Sequence, residues 1–279
     1  AWIEAEAPSG NIDELTAAAK LLEFRSADGG LKDTSFDTIS AAAGHAALPH
    51  YKVDEDSNIA IPPSSIFLCD SGGQYIGETG AGTTDITRTV WIGPGEPSAE
   101  MKDRFTRVLK GHIAIAEAIF PEGTTGGQLD TLARHALWQV GCDYAHGTGH
   151  GVGSALGVHE GPQRIAKTTG SQGGTMEPLA AGMICSNEPG YYKAGEYGIR
   201  IENLVLIEER HIENADEGTW FGFENLTWVP IDATLIEPAL LTPQERAWVD
   251  TYHARCREIL SPGLDGQAAQ WLERHTQPL

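Results

Sequence analysis

Four acids and a histidine, set out in a repeated pattern, carry the chemistry open to this sequence. Asp70-Ser71-Gly72 leads to Thr84-Asp85-Ile86, and Glu188-Pro189-Gly190 leads to Arg200-Ile201-Glu202. In each stretch an acid stands two places before a glycine. A second acid follows after a turn-rich interval, 15 residues on in the first stretch and 14 in the second. His146-Gly147-Thr148-Gly149-His150-Gly151-Val152-Gly153 lies between the two. Four carboxylates and one imidazole make a hard, oxygen-rich donor set that suits two divalent cations better than a structural zinc. Without cations, four acids forced together would repel one another, and some would take up protons. Two ions sharing carboxylates and a hydroxide supply a nucleophile at neutral pH and polarise a carbonyl, so the natural reaction is amide hydrolysis.

Each piece alone has a plainer reading. Asp-Ser-Gly and Glu-Pro-Gly are ordinary turn sequences. The glycine run 147–153 also suits a flexible loop or a phosphate cradle, although it lacks the Gly-Lys-Ser/Thr ending of a P-loop. His146 and His150, four apart, also suit one face of a helix. All these features in one order, with the acids on strand-like segments, favour the metal site.

The elements that must hold these residues are partly visible. Ile66–Cys69 reads as a short apolar strand running into Asp70, and the β-branched run Ile86–Ile92 as the strand that returns. Met183–Asn187 and Gly198–Ile207 read as strands around the second pair of acids. Asn11 as N-cap with Glu14 at N3 predicts a helix whose apolar face is Leu15, Leu21, Leu22 and Phe24, ended by Gly29-Gly30. Ser98–Phe120 and Gln128–Val140 predict further helices, the second with Gly141 just past its end. Residues 54–63 read as a loop. Thr242-Pro243-Gln244-Glu245 is a capping box with proline at the first helical position, opening a helix to Leu260.

Composition bounds the rest. The 279 residues suffice for one large or two modest domains, and the net charge of −20 should repel nucleic acid and anionic membranes. No apolar run is long enough to span a bilayer. Cys69, Cys142, Cys185 and Cys256 form no C-x-x-C pair and read as reduced thiols, which with the absence of a secretory pattern predicts a cytoplasmic protein. Ala1 reads as a cut point inside a longer product.

Six segments together are more specific. Asp70–Tyr75, Gly82–Thr89, His146–Gly153, Val158-His159-Glu160-Gly161-Pro162, Glu188–Tyr192 and Gly198–Asn203 resemble aminopeptidase P, the Xaa-Pro aminopeptidase of the pita-bread metallopeptidases. The likeness runs from about Phe36 to the end. Leu241–Trp248 resembles the C-terminal extension of that family's long form. The resemblance implies an α+β pita-bread fold of two pseudo-symmetric halves, antiparallel sheet flanked by helices. It implies a catalytic domain over 1–229 and a helical extension over 230–279, with the family's N-terminal domains absent.

The resemblance also implies roles. Asp70, Asp85, His150, Glu188 and Glu202 would bind two divalent ions, manganese being expected and zinc or cobalt the alternatives, with Asp85 and Glu202 bridging. His159 would stabilise charge on the substrate carbonyl, and His50 would lie near the substrate's first residue. His146 would line the proline side, and Glu188 would relay a proton to the leaving nitrogen. Tyr192 and Arg200 would support the substrate side. The partners are peptides with proline second, with room for a homodimer. The remaining histidines, 45, 112, 135, 211, 253 and 275, read as ordinary core or surface residues.

The family spaces its first two acids more closely than the 15 residues found here, the excess falling in 76–81. The rival readings are a prolidase-like dipeptidase, against which the C-terminal extension speaks, and a silent peptide-binding module, against which the full ligand set speaks.

Overall fold

A computed structural model describes the chain except for residues 28, 79 and 169–172. The chain opens with α1 (Trp2–Glu6), α2 (Glu14–Ser26), β1 (Leu31–Thr34) and β2 (Ile39–Ala42). Four strands follow: β3 (Ser65–Ser71), β4 (Gly73–Gly77), β5 (Gly80–Thr83) and β6 (Ile86–Ile92). Next come α3 (Ala99–Ala116), β7 (Ile119–Pro121), α4 (Gly126–Trp138), β8 (Gly149–His150) and β9 (Arg164–Ile165). The second set of strands is β10 (Ile184–Asn187), β11 (Gly190–Lys193), β12 (Tyr197–Arg200), β13 (Asn203–Glu209) and β14 (Trp220–Asn225). Helices α5 (Pro243–Leu260) and α6 (Gly266–His275) close the chain.

The repeated acid pattern is a repeated piece of architecture. β3 and β6 pair antiparallel along their full lengths, from Ser65 opposite Ile92 to Ser71 opposite Ile86. Between them the chain turns aside into an inner hairpin, β4–β5. β10 and β13 repeat the plan, with β11–β12 as the inner hairpin. Each acid sits where the long ladder gives way to the inner hairpin. Asp70 is near the end of β3, Asp85 just before β6, Glu188 just after β10, and Glu202 between β12 and β13. The crossing is tight: a Cβ on Gly72 would lie 1.9 Å from the Thr84 carbonyl oxygen, so only glycine fits. The outer ladders extend into the sheets β2-β3-β6 and β10-β13-β14-β7.

Several expectations are corrected by long-range contacts. α2 starts at Glu14 with Asp13 as its N-cap, the Asp13 carboxylate accepting from Thr16 N at 2.7 Å. Glu14 is fully buried instead of capping the helix, because its carboxylate accepts from Ala42 N, His45 Nδ1 and the Tyr51 hydroxyl. The predicted apolar face is turned outward, with Leu22 43% and Phe24 52% exposed, while Ala17 packs inward. That helix ends at Ser26, before the two glycines. α3 stops at Ala116, since Ile119–Pro121 is drawn into a strand against β14. The run Gly198–Ile207 is two strands, broken at Ile201-Glu202.

α3 lies against both halves. Its Phe105, Val108, Leu109 and Ile113 share one core cluster with Ile66 and Trp91 of the first half and Ile199 and Ile201 of the second. The C-terminal segment enters the same cluster through Ile231, Leu235, Val249 and Tyr252. Burying one such aliphatic side chain contributes about 1.5–3 kcal/mol. The capping box that opens α5 forms as read, with Thr242 N donating to Glu245 Oε2 at 2.7 Å and Glu245 N to Thr242 Oγ1 at 3.2 Å. The cysteines are free, and burial pushes the Cys69 and Cys185 thiols up to about 12, so they are poor nucleophiles.

The extra residues at 76–81 lengthen the β4–β5 hairpin. Ile76 pairs with Ala81 and Gly77 with Gly80, and Ile76 is 59% exposed; Thr79 lies outside the described residues. The base of the hairpin is pinned separately, because Gln74 Nε2 and Thr83 Oγ1 both donate to the Leu156 carbonyl, at 2.9 and 2.8 Å. Removing residues 77–80 should therefore leave a two-residue turn on an unchanged base. The shortened chain is expected to melt within about 5 °C of the wild type and to bind Mn(II) with the same stoichiometry. A folded deletion variant that takes up no Mn(II) in calorimetry would show that the hairpin tip shapes the cleft.

Candidate metal centre

The two halves meet at a cleft of about 120 Å³. Asp70, Asp85, His150, Glu188 and Glu202 all line it, together with His50, His146, His159 and Arg200. Phe36, Ile39 and Pro49 form its apolar wall. Asp85, His150 and Glu202 each present a donor atom within 4.8 Å of the others. His150 Nε2 lies 3.5 Å from Asp85 Oδ2 and 3.3 Å from Glu188 Oε1.

The orientation of His150 is fixed from behind. Its Nδ1–H donates to the Gly151 carbonyl at 3.0 Å, which leaves the Nε2 lone pair facing the acids. Its backbone N donates to Ser186 Oγ, and Ser186 Oγ donates to Glu188 Oε1, both at 3.0 Å. One hydroxyl thus sets two donors. The strand carrying His150 runs against β10 so closely that a Cβ on Gly149 would meet the Ser186 carbonyl oxygen at 1.9 Å. His146 and His150 therefore share no helix; they sit on an extended segment that ends in β8.

That segment is held by α4. Arg134, buried in the interior, pairs with Asp130 and donates to the Tyr144 and His146 carbonyls at 2.6 and 2.8 Å. Thr148 Oγ1 donates to Asp130 Oδ1 at 2.6 Å. α4 itself begins with a capping box between Thr125 and Gln128, which places Asp130 and Arg134 one turn apart on the inner face.

A second network runs behind the acids. Arg200 Nη2 donates to Asp70 Oδ2 at 2.5 Å, Arg200 Nη1 to the Tyr192 hydroxyl at 2.7 Å, and Arg200 Nε to Thr87 Oγ1 at 3.0 Å. Thr87 Oγ1 in turn donates to Glu202 Oε2 at 2.7 Å. His146 Nδ1–H donates to the Gly147 carbonyl at 2.7 Å, so its Nε2 accepts from the Tyr192 hydroxyl at 2.8 Å. Arg88, absent from the sequence reading of the site, donates to the Glu202 carbonyl at 2.6 Å. Thr87, Arg88 and Ser186 were missed because their hydroxyl and guanidinium groups touch the acids from behind. The only signal was that Thr87 and Arg88 lie inside a motif already singled out.

The electrostatics follow from this crowding. Burial, then the charges of Asp70 and Glu188, push the Asp85 carboxyl well above the usual carboxylate range. Glu202 is pushed up in the same way by burial, then by Asp85 and Asp70. Burial, then Arg200, lowers His146 to about 3, and desolvation, then His150, lowers His159 to about 4, so both are neutral at pH 7. Burial raises Tyr192 to about 12.

The donors fit divalent cations. Asp70 Oδ1 is buried and has no hydrogen-bond partner, although an unpaired buried carboxylate oxygen is costly. Two carboxyls that hold protons against the field of their neighbours would release them to a cation. A carboxylate-rich set with one imidazole suits such an ion.

Comparison with known proteins agrees. The model of metallopeptidase family M24 matches residues 1–209. The chain belongs to metallopeptidase family M24. The C-terminal region of peptidase M24 matches residues 219–279. This member of the family is 50% identical over 282 residues to aminopeptidase P2 of Arabidopsis thaliana, a match covering 100% of this chain and 38% of that protein. It is 48% identical to a probable Xaa-Pro aminopeptidase P of Laccaria bicolor, covering 100% of this chain and 43% of that protein. Among solved structures it resembles an X-prolyl aminopeptidase from Caenorhabditis elegans, described as a cytosolic enzyme with a di-nuclear active site. That likeness has a TM-score of 0.89 and 41% identity, and covers 100% of this chain and 44% of that one. The chain thus spans less than half the length of these relatives. Its α+β architecture of two related antiparallel units is the pita-bread fold of the family.

The pH dependence of cation binding tests the centre. Asp85 and Glu202 are raised above their unfolded values, so the folded chain binds protons that the unfolded chain has lost. Their contribution to stability falls as pH rises toward the folded values. A cation must displace those protons, so affinity should rise with pH. Calorimetry is expected to show Mn(II) binding at least about tenfold tighter at about pH 7.5 than at about pH 5.5, with protons released. Equal affinity and no proton release would contradict the proton-holding pair.

Proposed function

We propose that this chain is the catalytic and C-terminal part of an Xaa-Pro aminopeptidase, hydrolysing the peptide bond between a first residue and a proline. The observation that carries the reading is the convergence of Asp70, Asp85, His150, Glu188 and Glu202 on one cleft, in a chain about half identical to proteins named aminopeptidase P. In this reading those five residues hold two divalent ions, manganese first, with zinc or cobalt as alternatives. Bound there, the ions supply an activated water and polarise the scissile carbonyl.

The chain's own groups do the rest. His159, neutral at pH 7, donates a hydrogen bond to the substrate carbonyl oxygen as charge develops there. Glu188, aligned by Ser186, carries a proton to the proline nitrogen as the bond breaks. His146 lines the proline side, its ring oriented by the Gly147 carbonyl and by the Tyr192 hydroxyl. Arg200 couples that side to Asp70. His50 stands at the cleft wall near the place of the first residue. The apolar wall of Phe36, Ile39 and Pro49 gives an uncharged side chain or a proline ring a surface to cover.

The division at 229/230, a cytoplasmic location and a homodimer enter the same proposal. No described helix is long and apolar enough to cross a membrane. A net charge of −20 opposes nucleic acid as a partner.

Turnover of a short Xaa-Pro peptide against its Xaa-Ala counterpart, with and without Mn(II), is the direct test. The expected outcome is Mn-dependent release of the first residue from the proline peptide alone. His159→Ala is expected to lower kcat by about 100-fold or more with Mn(II) stoichiometry unchanged. Free proline released only from dipeptides would favour a prolidase-like reaction. Absence of Mn(II) binding and turnover would favour a silent peptide-binding module.

A further inference from the structure

Tyr252, on α5, lies far from the cleft in sequence and does not line it. Its ring is 4% exposed and stacks on Trp228 and on Trp248, at centroid distances of 5.5 and 5.2 Å, which fixes where the hydroxyl points. The hydroxyl accepts from Arg88 Nη2 at 2.8 Å and donates to the Val229 carbonyl at 2.8 Å. It also accepts from Asn203 Nδ2 at 3.3 Å.

Arg88 carries this contact to the metal centre. The guanidinium is buried, and its Nη1 donates to two backbone carbonyls, Glu202 at 2.6 Å and Thr87 at 2.9 Å. Its Nη2 donates to Asn203 Oδ1 and to the Val229 carbonyl, both at 2.7 Å, and its Nε to the Pro230 carbonyl at 3.2 Å. Thr87 and Asn203 flank the acid: Thr87 Oγ1 donates to the Glu202 carboxylate, and Asn203 is the next residue in the chain. Glu202 sits in the break between two strands, where its backbone N donates to the Thr87 carbonyl at 3.1 Å and Arg88 takes its carbonyl. A planar cation that must satisfy several acceptors at once has one position, and the hydroxyl of Tyr252 occupies one corner of it.

We propose that Tyr252 is a positioning residue for Glu202, acting through Arg88, so that helix α5 tunes the affinity of the metal centre. The inference rests on the reading of Glu202 as a metal ligand. It extends the role of residues 230–279 from packing to tuning of the cleft. Removing the hydroxyl leaves the ring, its stacking and the fold; Arg88 keeps its carbonyl and Asn203 acceptors but loses the contact that ties it to α5, so the guanidinium and the Glu202 carbonyl it holds can settle in a slightly different place.

The test uses Mn(II) alone as the probe, with affinity and stoichiometry from calorimetry and melting in chelator as a separate readout. Four forms of the full chain are compared: wild type, Tyr252→Phe, Val249→Ala and Glu202→Gln. Val249 is fully buried on the same helix and in the same cluster, and its truncation loosens that packing. Tyr252→Phe is expected to weaken Mn(II) binding about tenfold with the wild-type stoichiometry still reached at high Mn(II). Val249→Ala is expected to lower the melting temperature at least as much and to leave Mn(II) affinity unchanged. Wild-type affinity in Tyr252→Phe, or an equal loss in Val249→Ala, would overturn the proposal while leaving the metal reading in place. Wild-type binding in Glu202→Gln would remove the metal reading itself, and the proposal with it.

Discussion

Asp70, Asp85 and Glu202, all buried, share one cleft with the half-buried Glu188. Two like charges about 4 Å apart repel by about 4 kcal/mol at an effective dielectric of about 20. That is a large part of the 5–15 kcal/mol that keeps a typical domain folded. Cations in the cleft would offset this repulsion, and the charges and donors around the acids do so already. Arg200 takes one oxygen of Asp70, Thr87 takes one of Glu202, and Ser186 takes one of Glu188. Thr87 and Ser186 touch their acids from outside the cleft lining, while Arg200 is itself part of that lining and leaves Asp70 Oδ1 without a partner.

The architecture explains how the acids come together at all. A single hairpin can deliver two acids to one end of a ladder, and two hairpins from related halves deliver four. α3 is packed by both halves, so the two ladder ends are held at a fixed separation by apolar contact, and the mutual repulsion of the acids is not free to open them. His150 completes the set from a third segment, brought in by α4 through Arg134 and Asp130.

Local patterns were legible and distant partners were not. β6 has the bounds that its β-branched run suggested, and the α5 capping box forms as read, because both depend on residues a few places apart. The start of α2 was misplaced because Glu14 looks like a capping residue, while its carboxylate is taken by groups 28 to 45 residues away. α3 was read too long because the apolar Ile119-Phe120 also suits a strand, and only β14, a hundred residues on, decides the matter. The residues named for the cleft line it except Tyr192, which stands behind it against His146 and Arg200, and the groups that orient them went unremarked. Ser186, Thr87 and Arg88 are common residue types whose meaning comes only from what lies behind the acids.

The Arg88 guanidinium and the Tyr252 hydroxyl are 164 residues apart in the chain. A ribosome delivers Arg88 well before α5. Until that helix emerges, Arg88 lacks the Tyr252 hydroxyl and is held by its contacts with Thr87, Glu202 and Asn203. The acids are therefore made early and locked late. The order of synthesis thus places the last contact of this network after all the acids of the cleft.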